Sequence, residues 1–259
     1  MVKIEVDDGH EPTYEELRDA ALDTYGHFTA MQVRDGRTRG LDLHLARLDA
    51  ANRELFGEPL DGEHVRGLIR HALPGEGPDA SVRVIVRGAG EGPGVRVFVT
   101  VRPPFTMPHD ATRRLRSVRY LRTAPHIKRP GDFGQSYHIR QAVAAGYDDA
   151  LLVAGDGAIA EAGIANLAFF DGESVVWPDG PALAGITMQV TAPRTAEYAM
   201  PSRTARVTPA DLGGFVGACV TNSRGIAAVS RIDEVDLPIA AEFVKAMNAA
   251  YDAVPWDAI

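Results

Sequence analysis

The sequence predicts a two-domain protein of mixed α+β / α/β class, with a small N-terminal α+β domain over residues 1–105 and a larger mixed-sheet domain over 106–259. Three observations carry this. The chain has 259 residues, 45% of them apolar, which is enough to bury two modest cores. Its first hundred residues combine one helical stripe with several strand-like runs. The stretch RPPFTMPHD at 102–110 gathers prolines between two periodic regions, as connections between domains do.

Residues 27–33 (HFTAMQV) have strand character, and Asp35-Gly36 supplies a hairpin-type turn. Residues 41–56 (LDLHLARLDAANRELF) place Leu41, Leu45, Leu48 and Leu55 at helical spacing, with Gly57 as the stop. Residues 81–87 (SVRVIVR) and 95–101 (VRVFVTV) predict a hairpin across a Gly/Pro loop at 88–94. Beyond the connection come a strand near 115–121, a loop carrying Lys128, and a helix over 136–145 that stops at Gly146. Short strands follow at 150–153, 159–160, 167–170 and 174–177, with turns at Asp156-Gly157 and Asp171-Gly172. A helix starts at Thr187, with Pro193 placed to kink or end it. A strand at 219–222 and a helix at 237–251 complete the reading.

The formal charge of −8 argues against nucleic acid or an anionic membrane as the main partner and favours a small-molecule substrate. The single cysteine, Cys219, excludes an internal disulfide, and no Cys/His spacing suggests a metal site. Residues 1–20 lack the apolar core of a signal peptide, and no later segment approaches a membrane span, so the expected location is the cytoplasm.

The basic residues are almost all arginine, and the only lysines are Lys3, Lys128 and Lys245. Arginine cannot lose its proton to form an imine, whereas lysine can. A mid-chain lysine in so lysine-poor a sequence therefore becomes a candidate for chemistry. Glu161 follows a turn and short strand that aim it into a site. Thr187 opens a helix after a glycine, so the amides of Ile186 and Thr187 face any anion there. Asn222 and Ser223 offer donors after a buried-looking strand, with Thr221 beside them.

Six runs in order carry a resemblance to a known family: HLARL at 44–48, HIK at 126–128, GYDDALLV at 146–153, EAGIAN at 161–166, GIT at 185–187 and TNSRGIAAV at 221–229. The chain resembles the class IV aminotransferases, the fold-type IV pyridoxal 5′-phosphate enzymes. These include branched-chain and D-amino acid aminotransferases and aminodeoxychorismate lyases. The resemblance spans residues 25–233. It implies that Lys128 forms the Schiff base with the cofactor, that Glu161 meets the pyridine nitrogen, and that Arg47 clamps the phosphate with Ile186, Thr187, Asn222 and Ser223. It implies a homodimer, and Asn166, a few residues beyond Glu161, reads as a brace for that loop.

The pattern departs from its relatives in places. Branched-chain enzymes carry a tyrosine where Phe133 stands, for which Tyr137 is the candidate substitute. After Arg87-Gly88 the chain lacks the Arg/His signature of D-amino acid aminotransferases, and Phe28-Thr29 resembles the lyases. Phe28, Thr29, Arg87, Phe133 and Tyr137 are the expected pocket walls. The leading expectation is transamination between an amino acid and a 2-keto acid. The alternatives are a lyase releasing pyruvate and 4-aminobenzoate, and a non-catalytic binding protein of the same fold.

Overall fold

A computed structural model describes residues 2–7, 9–73, 75, 78–90 and 94–259. Contacts divide the chain into two compact units. The first holds Met1–Phe105, Ile127–Gly131 and Pro255–Ile259; the second holds Thr106–His126 and Asp132–Val254. By contacts, then, the segment that carries Lys128 groups with the first hundred residues rather than with the chain on either side of it. Residues 91–93 of the expected loop at 88–94 lie outside the described residues.

The first unit runs β1 (Lys3–Val6), α1 (Tyr14–Leu22), β2 (Gly26–Val33), β3 (Arg37–Thr38), α2 (Leu41–Phe56), α3 (Gly62–Ala72), β4 (Ala80–Gly88) and β5 (Val95–Arg102). Four strands pair antiparallel in the order β1-β5-β4-β2. Side chains alternate across a strand. Val82, Val84 and Val86 of β4 therefore join Met31 and Val33 of β2 and Val97, Val99 and Val101 of β5 in one core with Val65, Leu68 and Ile69 of α3. Asp35 and Gly36 take φ of 49° and 68°, the left-handed pair that a two-residue hairpin needs, and Arg34 and Arg37 exchange both backbone hydrogen bonds around them.

Helix α2 ends at Gly57, whose φ of 76° and N–H to the Arg53 carbonyl make the expected stop. Its buried face differs from the leucine stripe read in the sequence. Leu41 and Leu48 are buried, but their companions are His44, Ala51 and Asn52, while Leu45 and Leu55 lie at the margins. The start of α2 has no side-chain cap of its own. Instead the Leu41 N–H donates to Asp257 at 2.9 Å, so a carboxylate from the far end of the chain caps the helix.

The second unit runs β6 (Thr112–Arg119), α4 (Phe133–Ala144), β7 (Asp149–Val153), β8 (Ile159–Ala162), β9 (Asn166–Phe170), β10 (Val175–Pro178), α5 (Ile186–Thr191), β11 (Ser202–Ala205), β12 (Gly217–Asn222), β13 (Gly225–Ile232), β14 (Val235–Asp236) and α6 (Ala241–Asp252). A last short strand, β15 (Asp257–Ala258), returns to pair with β3 in the first unit. The large sheet is mixed, in the order β11-β10-β9-β12-β13-β6-β7-β8 with β14 on β13. Pairs β6–β7, β6–β13 and β10–β11 are parallel and the others antiparallel. Alternation again sorts the residues: Leu167, Phe169, Val220, Ala227 and Val229 enter one core, and Ala168, Cys219, Ile226 and Ala228 enter another with Phe243 and Met247 of α6.

Helix boundaries move for identifiable reasons. Asp132 accepts the Gln135 N–H at 2.9 Å, so α4 begins at Phe133, ahead of the expected start. Pro238 holds the residues before α6 out of helix, so that helix begins at Ala241 rather than at residue 237. Pro193 ends α5 after six residues, and the chain continues as a 3-10 helix over Ala192–Tyr198.

Candidate active site

Lys128 sits on the segment Ile127–Gly131, which is anchored at both backbone and side chain. Ile127 is buried, and the Lys128 carbonyl accepts the Phe28 N–H of β2 at 2.7 Å. The Lys128 Nζ lies 4.9 Å from the centre of the Phe28 ring, and the Arg83 guanidinium lies 4.8 Å from the same ring. Lys3 and Lys245 are exposed, whereas Lys128 is partly buried.

The spacing of Leu41, Leu45 and Leu48 puts Arg47 off the apolar stripe of α2, on its polar side. Arg47 is instead largely drawn in toward β2, where its Nη2 donates to the Thr29 hydroxyl at 2.6 Å, and burial pushes its pKa down to about 10. Thr29 is fully buried and faces α2 rather than a pocket, because β2 turns Phe28 and Thr29 to opposite sides of the sheet. Arg87, at the end of β4, buries one guanidinium nitrogen with no hydrogen-bond partner among the described residues. Room for it comes from Gly26, where a Cβ would stand 3.1 Å from the Arg87 Cγ and 2.4 Å from the Val86 carbonyl oxygen.

In the second unit Glu161 is 5% exposed, at the centre of β8. Its Oε1 accepts from Arg122 Nε at 2.5 Å and its Oε2 from the Leu183 N–H at 3.3 Å. Arg122, 4% exposed, also donates to the Pro125 carbonyl at 2.5 Å. Arg122 is the residue sequence reasoning missed; it lies in a loop with no periodicity, and its only signal was its place a few residues ahead of Lys128. Asn166 donates to the Leu183 carbonyl at 2.7 Å, which braces the same loop. A Cβ on Gly185 would come within 2.0 Å of the Asn166 Oδ1, so the brace requires glycine there.

The anion-binding candidates meet at the start of α5. Gly185 is its N-cap, and the Thr187 hydroxyl donates to the Asn222 carbonyl at 2.8 Å, tying α5 to the end of β12. The first amides of a helix have no intrahelical acceptor, which leaves those of Ile186 and Thr187 to a ligand. With only six α-helical residues behind them, the donors themselves outweigh any helix dipole. Asn222 is spent on structure: its Oδ1 accepts the Arg224 N–H at 2.9 Å and its Nδ2 faces the Ile164 carbonyl at 3.4 Å. Ser223 lies in the following turn, partly exposed, and the Thr221 hydroxyl is buried without a hydrogen-bond partner. An orphaned buried hydroxyl beside free amides suits an anion with several acceptor oxygens.

Phe133 opens α4 and is 79% exposed, stacked on Tyr137 with ring centres 6.0 Å apart. The Tyr137 hydroxyl has no hydrogen bond among the described residues.

An amine on an anchored segment, a buried carboxylate held by arginine, and a set of unspent donors for an anion form the inventory a pyridoxal phosphate enzyme needs. The class IV amino-transferase profile matches residues 26–232. Comparison with the curated proteins returns no match. Solved structures share the fold. A hypothetical aminotransferase from Mycobacterium tuberculosis in its PLP-bound form superposes with a TM-score of 0.80 at 21% identity, over 96% of this chain and 98% of that one. A branched-chain aminotransferase from Thermoproteus uzoniensis gives 0.82 at 18% identity, over 96% and 93%. A putative 4-amino-4-deoxychorismate lyase from Legionella pneumophila gives 0.81 at 20%, over 96% and 98%. The chain belongs to the class IV aminotransferase family, whose members use pyridoxal phosphate.

Proposed function

We propose that the chain transfers an amino group between an amino acid and a 2-keto acid, with Lys128 as its catalytic amine. The observation that carries the residue assignment is the contrast among the lysines, since only Lys128 is both drawn inward and held on a backbone anchored to β2. When bound, pyridoxal phosphate supplies the aldehyde that takes up the amino group and the ring that accepts electrons from the substrate Cα. Lys128 would hold the cofactor through its Nζ, and the same amine would carry the proton taken from the substrate Cα and later returned. Glu161 would face the pyridine nitrogen, and Arg122 holds its carboxylate in place. The amides of Ile186 and Thr187, with Ser223 and the guanidinium of Arg47, would take the phosphate, while Asn222, expected among these donors, holds the turn that carries Ser223.

The test is to present full-length protein carrying pyridoxal phosphate with L- and D-amino acids and to follow the cofactor's visible absorbance. Bleaching by amino acids, restored by a keto acid, supports transamination. Pyruvate release without any keto-acid acceptor makes it the lyase, and an absorbance no amine changes makes it a binding protein. Lys128→Ala is expected to abolish cofactor attachment by borohydride while the far-UV circular dichroism stays the same; attachment that persists removes Lys128 from this role.

A cytoplasmic setting fits a chain whose single cysteine, Cys219, is a buried free thiol. A homodimer fits the exposed apolar side chains of Phe133 and Val143 on α4, and sedimentation showing only monomer would end that reading. A domain boundary within 102–110 is tested by limited proteolysis there.

A further inference from the structure

Helix α2 turns His44, Arg47 and Asn52 toward β2, into a core otherwise built from valine and leucine. Polar groups buried this way cost free energy unless donors and acceptors are matched. Around Thr29 the matching has one solution. A guanidinium only donates, so the 2.6 Å contact from Arg47 uses a lone pair of the Thr29 hydroxyl. The hydroxyl proton must then point elsewhere, and the His44 Nδ1 lies 2.6 Å away. If His44 donated instead, the hydroxyl proton of a fully buried threonine would meet no other acceptor among the described residues.

The ring therefore carries its proton on Nε2. Its neutral state is secured independently: burial, with the charges of Arg47 and Lys128 beside it, pushes the His44 pKa down to about 3. At 3% exposure the ring also has little freedom to turn away.

We infer that His44 is a positioning residue for Arg47: by accepting the Thr29 hydroxyl proton it turns the hydroxyl lone pair toward Arg47, fixing one guanidinium nitrogen and so the direction of the others. The inference rests on the assignment of Arg47 to the cofactor phosphate. His44, read in the sequence only as part of a run, thereby gains a task. The hydrogen-bond chain runs Arg47 to Thr29 to His44, and each member is held by a regular element, α2 or β2.

The experiment titrates full-length protein with pyridoxal phosphate and, separately, with pyridoxal, and reads the ratio of the two dissociation constants. The ratio isolates what the phosphate contributes, and a general loss of packing does not change it. Thr29→Val and His44→Leu are expected to lower the preference for the phosphorylated form roughly tenfold, the effect of losing one charge-assisted hydrogen bond. Thr29→Ser, and His44→Asn with its amide oxygen near the former Nδ1, are expected to keep it. An unchanged ratio in Thr29→Val overturns the inference, as does an equal loss in Thr29→Ser. If His44→Leu does not fold, the Thr29 pair still decides. Arg47→Gln separates the two levels: a ratio unchanged in that variant removes Arg47 from the phosphate, whereas a ratio lowered there and intact in Thr29→Val removes only the relay.

Discussion

In the first unit the most deeply buried titratable side chains are two histidines, His27 and His44, which burial holds as neutral bases with pKa values near 4 and 3. In the second, Arg122 and Glu161 are buried just as fully but face each other at 2.5 Å, while burial raises the Asp149 carboxyl to about 6. The difference lies in the partners. His27 has the amide of Asn52 and His44 the hydroxyl of Thr29, neither of which offsets the desolvation of a charge. Glu161 has a guanidinium, so the cost of burying one charge is met by the other. A neutral network fixes where hydrogens point, and an ion pair fixes where charge resides. The first suits an arginine that must be aimed, the second a buried carboxylate that must be held in place.

Breaking the ion pair gives the largest expected effect. Arg122→Met leaves Glu161 buried and unpaired, and urea unfolding of cofactor-free protein is expected to show a loss of roughly 3–5 kcal/mol. Replacing both members, Arg122→Met with Glu161→Met, is expected to regain most of it. A loss below about 1 kcal/mol in the single variant would mean that the pair is solvated.

Acid tests the neutral network. His27 and His44 have folded pKa values below the ordinary 6.5, so the unfolded chain binds more protons and stability falls as pH drops below 6.5, toward 4 for His27 and 3 for His44. The slope is about 1.4 kcal/mol per pH unit for each histidine. Asp149 opposes them, because its folded pKa of about 6 lies above the ordinary 3.8 and its contribution is lost as pH rises through 6. His27→Gln is expected to flatten the acid decline and Asp149→Asn to steepen it, read as unfolding free energy between pH 4 and 7. The opposite ordering would assign the burial to the wrong groups.

The helix caps sharpen the comparison at smaller scale. Asp132, buried in the second unit, accepts both the Gln135 N–H and the Tyr120 hydroxyl at 3.1 Å, so Asp132→Ala is expected to cost about 2 kcal/mol. Asp61 is the exposed cap of α3 in the first unit; among the described residues its carboxylate accepts only the Glu63 N–H, and Asp61→Ala is expected to cost about 0.5–1 kcal/mol. Equal losses by thermal unfolding would show that burial adds nothing to the cap.

Local grammar was legible in the sequence; long-range pairing was not. Helix α2 and the Asp35-Gly36 hairpin follow from spacing and turn chemistry and appear where expected. Helix α1 buries no residue, so packing does not define it, but Thr13 and Glu16 form a readable capping box. Helix α3 carries a stripe of Val65, Leu68, Ile69 and Ala72 and the cap Asp61, signals of the same local kind, yet it is absent from the sequence reading. Lys128, Glu161 and Thr187 were picked out by residue type and order. Arg122 could not be, because only folding brings it to Glu161. The same holds for the inward turn of Arg47, since spacing alone placed it on the outer face of its helix.

Gly185 and Asn166 share one small volume, since the asparagine oxygen occupies the place where a side chain at 185 would begin. A lineage can alter the two positions in one order only. A methyl group at 185 is barred while asparagine remains, so the asparagine must shrink first, and that step releases the Leu183 carbonyl and slackens the loop whose amide holds Glu161. History through this pair is therefore nearly closed, and an engineer redesigning the loop meets the same one-way gate.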